Sequence, residues 1–142
     1  MAREKRNRNK GSVGNNRKTG DEFLIKNKLK PGVTETESGL QYQIIDKGEG
    51  PSPDGDSYIT IHQRCLLLSG KILVDSYKEN KPAEAKIKEL IEGLAEGILL
   101  MNKGSKYRFY IPPELGWGKK GSSSTIPPNS VLIFDVRLID FW

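Results

Sequence analysis

Among its 142 residues the chain has one cysteine, Cys65, and one histidine, His62. With no second cysteine, no disulfide can form within the chain. Neither a His-Cys nucleophile pair nor a multi-histidine metal site has much material, so no metal or cofactor is expected. Hydrophobic runs are short as well. None approaches the ~18 apolar residues of a membrane span, and Met1 to Lys10 is charged with no apolar segment behind it. No signal peptide and no anchor are therefore read, and a reducing cytoplasm is the expected setting. Hydrophobic residues make up 35% and charged residues 29%, which suits a soluble globular domain with a polar extension. The length fits one domain, against a usual ~100–200 residues.

The formal charge of +5 is unevenly spread. Residues 1–20 hold seven basic side chains opposed only by Glu4, a net of +6, while the rest carries 16 basic and 17 acidic residues, a net of −1. The first segment is rich in Asn and Gly, with Val13 its one large aliphatic after Met1, so it cannot bury enough surface to offset its ordering entropy. A disordered basic tail is expected over 1–20. It reads either as an arm attracted to phosphate backbones, a contact with nucleic acid or ribosomes, or as a solubilising extension.

From Gly20 the character changes. Asp21 to Leu29 has acids first and lysines last, which suits a helix dipole, and the helix should stop at Lys30-Pro31-Gly32. Thr34 to Ser38 is a polar link. Strand signals follow over Leu40 to Ile45. Tyr58 to Arg64 alternates, with Ile59, Ile61 and Gln63 on one face. Lys106 to Ile111 alternates too, and Val131 to Asp140 sets Leu132, Phe134, Val136 and Leu138 opposite Asp135 and Arg137. One-sided strands of this kind belong to an antiparallel sheet with one wet face. Between them, Lys86 to Met101 repeats apolar residues at helical spacing, at Leu90, Ile91, Leu94, Ile98 and Met101. Gly93 and Gly97 weaken this helix, which should be short. The pattern predicts an α+β domain with one helix in the concavity of a curved sheet. Leu90, Leu94, Ile98, Leu132, Phe134 and Val136 are its expected core.

Six motifs then follow in a recognisable order: Gly70-Lys71-Ile72-Leu73-Val74-Asp75-Ser76, Leu90-Ile91-Glu92-Gly93, Met101-Asn102-Lys103-Gly104-Ser105, Tyr110 to Gly118, Ile126-Pro127-Pro128-Asn129 and Leu132 to Val136. Over roughly residues 38–141 the chain resembles the FKBP family of peptidyl-prolyl cis-trans isomerases, and Ser38-Gly39-Leu40-Gln41-Tyr42 is similar to its bacterial branch. The resemblance implies a half-barrel of antiparallel strands wrapped on one short helix. It divides the chain into a tail (1–20), a helix and linker (21–37) and an FKBP-like domain (38–142). It further implies isomerisation of X-Pro bonds in proline-containing polypeptides and a pocket that admits macrolides.

Carried over residue by residue, the resemblance assigns the catalytic part to Asp75, Ile91 and Trp117. Asp75 would stand beside the ligand amide, and the Ile91 N–H would donate to a ligand carbonyl. Gln63, Val74, Leu90, Leu94, Ile126 and Phe134 would bind the substrate, with Leu90 and Ile91 as the lip. Four positions depart from the family pattern: Gln63 replaces Tyr, Val74 replaces Phe, Leu94 replaces the tryptophan of the pocket floor, and Trp117 replaces a tyrosine. Trp117 can donate through its indole N–H but cannot accept. One extra residue between Gly70 and Asp75 leaves the register of Val74 open by one. Each departure trims or moves aromatic wall, so a wider, wetter pocket and slower turnover are expected. A proline-peptide binding module without catalysis, and a factor tethered to RNA or ribosomes by the tail, are the alternative readings.

Overall fold

The computed structural model describes residues 16–122 and 125–142. Residues 1–15 of the expected disordered tail lie outside that range. Residues 16–20, assigned to the tail on composition, are helical and open α1, which covers 16–27. Contacts with the distant part of the chain explain the difference. Asn16 Nδ2 donates to the Pro128 carbonyl at 2.6 Å, Arg17 pairs with Glu114, and Gly20 sits so close to Val131 that an added Cβ would lie 3.0 Å from its methyl. At the other end buried Asn27 donates to Gln41 Oε1 at 2.9 Å, and Gln41 Nε2 donates to the Leu24 carbonyl at 2.9 Å. The helix is thereby fastened to the sheet at both ends.

Seven strands make one antiparallel sheet: β1 (Val33–Glu35), β2 (Gln41–Asp46), β3 (Tyr58–Leu67), β4 (Ile72–Asp75), β5 (Ala83–Lys86), β6 (Lys106–Ile111) and β7 (Leu132–Phe141). Their order is β1-β2-β6-β7-β3-β4, with β5 also paired to β3. Strand β3 is the spine. One of its edges runs along β7 from Ile59 to Leu67, while the other pairs with β5 at its start and with β4 near its end. The curved-sheet architecture expected from the alternation is present, while the short strands β1, β4 and β5 were not read from the alternation, and β1 takes up Thr34 and Glu35 of the stretch read as a polar link by pairing with Tyr42 and Gln41.

Two short helices, α2 (Ser76–Glu79) and α3 (Glu92–Ile98), complete the elements that position the site. The helix expected over Lys86 to Met101 is confined to seven of those residues. Lys86 closes β5, Ile87–Glu89 form a single 3-10 turn, and Leu90 and Ile91 are extended, with ψ of 158° and 150°. Their side chains follow helical spacing by coincidence, since the backbone that carries them is not helical.

The reason α3 is short and glycine-bearing is its approach to β6. A Cβ on Gly97 would lie 2.5 Å from Phe109 Cε1, and one on Gly93 would lie 2.7 Å from Ile111 Cγ2. These glycines cost helix propensity yet let the backbone sit directly on the sheet. Leu94, Ile98, Leu132, Phe134 and Val136 are buried in one core with Ile59, Ile61, Phe109 and Leu138. Leu90, expected among them, is only half-buried and packs against the core from its edge, because its extended backbone lies outside the helix.

The opposite face of the sheet is ionic. Asp135, 4% exposed, receives Arg108 Nε at 2.6 Å and Arg108 Nη2 at 3.2 Å, and Arg64 Nη2 at 3.1 Å. Burial pushes its carboxyl up, and the Arg108 and Arg64 guanidiniums more than offset this, holding it below the usual carboxylate range.

Candidate functional site

The strand register decides which side chains meet. Alternation along β3 turns Ile59, Ile61, Gln63, Cys65 and Leu67 inward. Directly across on β7 stand Val136 beside Gln63, Phe134 beside Cys65 and Leu132 beside Leu67. The inner face therefore passes from core to an open end. There it meets Leu90 and Ile91, the first turn of α3, and the loop that carries Trp117 and Ile126. Between them lies a mostly apolar cavity of about 320 Å³ lined by Gln63, Val74, Leu90, Ile91, Leu94, Trp117, Ile126 and Phe134. Eight of the nine residues singled out in the sequence thus share one cavity.

Asp75 is the ninth, and it is elsewhere. Its carboxylate accepts from the Lys78 N–H at 3.1 Å, capping α2, and it lines a separate polar cleft with Arg64, Tyr77, Lys106 and Asp135. Strand alternation accounts for this, since Asp75 directly follows the cavity-lining Val74. Cys65 pairs with Val74 and Leu66 with Ile72, so Leu73 is bulged out of the β3–β4 ladder. The bulge turns both Leu73 and Val74 toward the cavity, while Asp75 pairs with Arg64 and takes the outer face.

Ser76 secures this arrangement where the β3–β4 ladder ends. Its buried hydroxyl accepts from the Gln63 N–H at 2.8 Å and donates to the Gln63 carbonyl at 3.2 Å. A side chain thus replaces the next backbone pair and holds β4 over the cavity.

The cavity wall also includes Cys65, Leu73, Glu89, Thr125 and Leu132, which the sequence did not assign to a site. Extending the β3 alternation by two residues beyond Gln63 would have found Cys65. Its thiol is pushed up to about 12 by burial, so it is neutral and unsuited to nucleophilic attack. Trp117 is a rim residue rather than a buried wall, with 46% of its surface exposed. Among the described residues neither the Ile91 N–H nor the Gln63 carboxamide is engaged in a hydrogen bond. No group of three metal-ligating side chains occurs among them either. What the arrangement offers a ligand is apolar surface, one free backbone donor at the lip and one uncommitted amide on the wall.

Comparison with known proteins agrees with this geometry. The family model for FKBP-type peptidyl-prolyl cis-trans isomerase matches residues 50–139, and that for the domain amino terminal to it matches residues 1–44. The FKBP-type peptidyl-prolyl cis-trans isomerase FkpA of Aeromonas hydrophila is 40% identical over 124 residues, 87% of this chain and 46% of that protein. The FKBP-type 22 kDa peptidyl-prolyl cis-trans isomerase of Escherichia coli is 38% identical over 121 residues, 85% of this chain and 59% of that protein. The crystal structure of FkpA from Escherichia coli superposes with a TM-score of 0.89 at 33% identity, covering 96% of this chain and 63% of that one. The chain spans about half the length of such relatives. No helix among the described residues is long and apolar enough to cross a membrane. From the register that assembles the cavity to the two models that match its parts, sequence and structure agree that the chain belongs to the FKBP-type peptidyl-prolyl cis-trans isomerase family.

Proposed function

We propose that the chain is a peptidyl-prolyl cis-trans isomerase that acts on X-Pro bonds of polypeptides through the cavity beside α3. The observation that carries this reading is the composition of the wall: Leu90, Ile91, Leu94, Ile126 and Phe134 converge on one opening whose lip presents an unclaimed N–H. The reaction needs no acid, base or nucleophile. A peptide bond is held planar by resonance behind a barrier of ~18–20 kcal/mol, and X-Pro bonds isomerise unaided in tens to hundreds of seconds. A site that binds the twisted, less delocalised amide more tightly than the planar one lowers that barrier. The apolar wall takes the proline ring, and the Ile91 N–H holds a carbonyl of the substrate. Trp117 closes the rim and can donate through its indole N–H. Asp75 has no part, since it takes the outer face of the sheet and lines a separate polar cleft.

The departures at Gln63, Val74, Leu94 and Trp117 bear on rate. An uncommitted carboxamide at Gln63 offers donors and acceptors to water or to the planar amide, which opposes preference for the twisted form. Turnover is therefore slow. A proline tetrapeptide assay tests the reading directly: acceleration over the spontaneous rate supports it, and binding without acceleration replaces it with a proline-peptide binding module. Macrolides are the expected competitors for the same wall. The +6 charge of residues 1–20 favours a second, independent contact with nucleic acid, which salt should weaken steeply and deletion of residues 1–20 should abolish. The lone buried Cys65 favours a cytoplasmic setting, and cell fractionation decides it.

A further inference from the structure

We propose that Glu89 makes this site selective for X-Pro segments flanked by a lysine or arginine, an inference that rests on the isomerase reading above. Of the described residues lining the cavity, Glu89 alone carries a charge. Gln63 and Thr125 are neutral, and burial keeps the Cys65 thiol protonated. The acid that the family resemblance assigned to the pocket, Asp75, is turned to the other face of the sheet.

Glu89 itself is exposed and lies at the end of the 3-10 turn, two residues before the Ile91 N–H. Among the described residues it forms neither an ion pair nor a side-chain hydrogen bond. The neighbouring lysines have other partners. Lys88 pairs with Asp56, and Lys86 lies over the Tyr58 ring, 5.1 Å from its centroid. Lys86 reaches Glu89 only through space, as the last of the influences on its ammonium, so a substrate whose carbonyl reaches the Ile91 N–H passes a carboxylate that has no ion-pair contact among the described residues. A flanking lysine or arginine completes an ion pair there, and a flanking glutamate meets repulsion. An apolar pocket discriminates poorly by charge on its own, so this one group sets the preference.

The size of the effect follows from the setting. Exposed pairs are worth about 0.2–1 kcal/mol, which is about a 1.4- to fivefold change in kcat/KM at 1.36 kcal/mol per tenfold. The test compares three proline tetrapeptides that differ in one flanking residue, Lys, Gln or Glu, placed on either side of the X-Pro bond. In the wild type, kcat/KM should rank Lys above Gln above Glu for at least one placement. The Lys-to-Glu ratio should fall toward one in Glu89→Gln and invert in Glu89→Lys. It should also shrink as salt rises and the screening length drops from about 30 Å at 0.01 M to about 3 Å at 1 M.

A wild-type ratio near one, or a ratio unmoved by Glu89→Lys, overturns the proposal. Fluorescence anisotropy of the same labelled peptides keeps the two readings apart. Absence of turnover in all peptides refutes the isomerase reading alone, while the affinity ratio still decides whether Glu89 selects for basic flanks.

Discussion

The two faces of strand β3 treat charge in opposite ways. Inward, Ile59, Ile61, Gln63 and Cys65 carry no charge and run from the core into the cavity. Outward, Arg64 joins Arg108 on the buried carboxylate of Asp135. One sheet thus separates an apolar side that carries the cavity from an ionic side that stabilises the fold. The bulge at Leu73 assigns each side chain of β4 to one side or the other. An acid one residue beyond Val74 is therefore on the wrong face for the cavity, whose wall is apolar apart from Gln63, Thr125 and Glu89.

The largest effect should come from breaking the ionic face. Asp135→Ala leaves two guanidiniums without their acceptor. Because both arginine side chains are more than a third exposed, the cost is reduced to about 2–3 kcal/mol, read as a lower urea midpoint. Asp135 also gives this face a pH signature. Its folded pKa is depressed, so its contribution is present above the unfolded carboxylate value of ~3.9 and is lost as pH falls through the folded one. Asp135→Asn should flatten that acid limb.

Next in size is the helix-to-sheet contact behind the cavity. Gly97→Ala gains about 1 kcal/mol of helix propensity but drives a Cβ to within 2.5 Å of Phe109. Overpacking of about 1–3 kcal/mol should win, lowering the thermal midpoint; an unchanged or raised midpoint would mean that α3 does not sit directly on Phe109.

Turning to the inner face, the double variant Gln63→Tyr, Val74→Phe restores aromatic wall at two positions that line the cavity. It should isomerise a proline tetrapeptide faster, up to about tenfold for ~1.4 kcal/mol of added transition-state stabilisation. A slower variant of unchanged stability would show that Gln63 and Val74 serve the wild type as they stand. The effect that is smallest at neutral pH, because it appears only in alkali, concerns Cys65. Its folded pKa is raised from 9.0 to about 12, so its contribution is complete below pH 9 and declines as pH rises toward 12. Cys65→Ala should lose that alkaline decline in a urea-denaturation series.

Much of this was legible because alternation survives in strands with one buried face. Ile59, Ile61 and Gln63 fall on the side that alternation assigns, and Leu132, Phe134, Val136 and Leu138 share the core opposite them. Boundaries set by distant contacts were not legible. The start of α1 depends on Pro128, Glu114 and Val131, more than ninety positions away. Leu90 and Ile91 fit a helical pattern although their backbone is extended. Asp75 was misplaced because consecutive strand residues face opposite sides, so it and Val74 could not both line the cavity once β4 stayed extended to Asp75.

The central claim is that catalysis belongs to the uncharged inner face and its one free backbone donor. Ile91 has a φ of −58° and follows an extended Leu90, a geometry that proline adopts without strain. Ile91→Pro therefore removes the N–H while keeping an apolar side chain at the lip. Measured side by side on one proline tetrapeptide, Ile91→Pro should lose about tenfold or more in kcat/KM, equivalent to ~1.4 kcal/mol, while Asp75→Asn stays within about twofold, well under that energy. An Ile91→Pro variant as fast as wild type, or an Asp75→Asn variant slowed about tenfold at unchanged stability, would contradict the account.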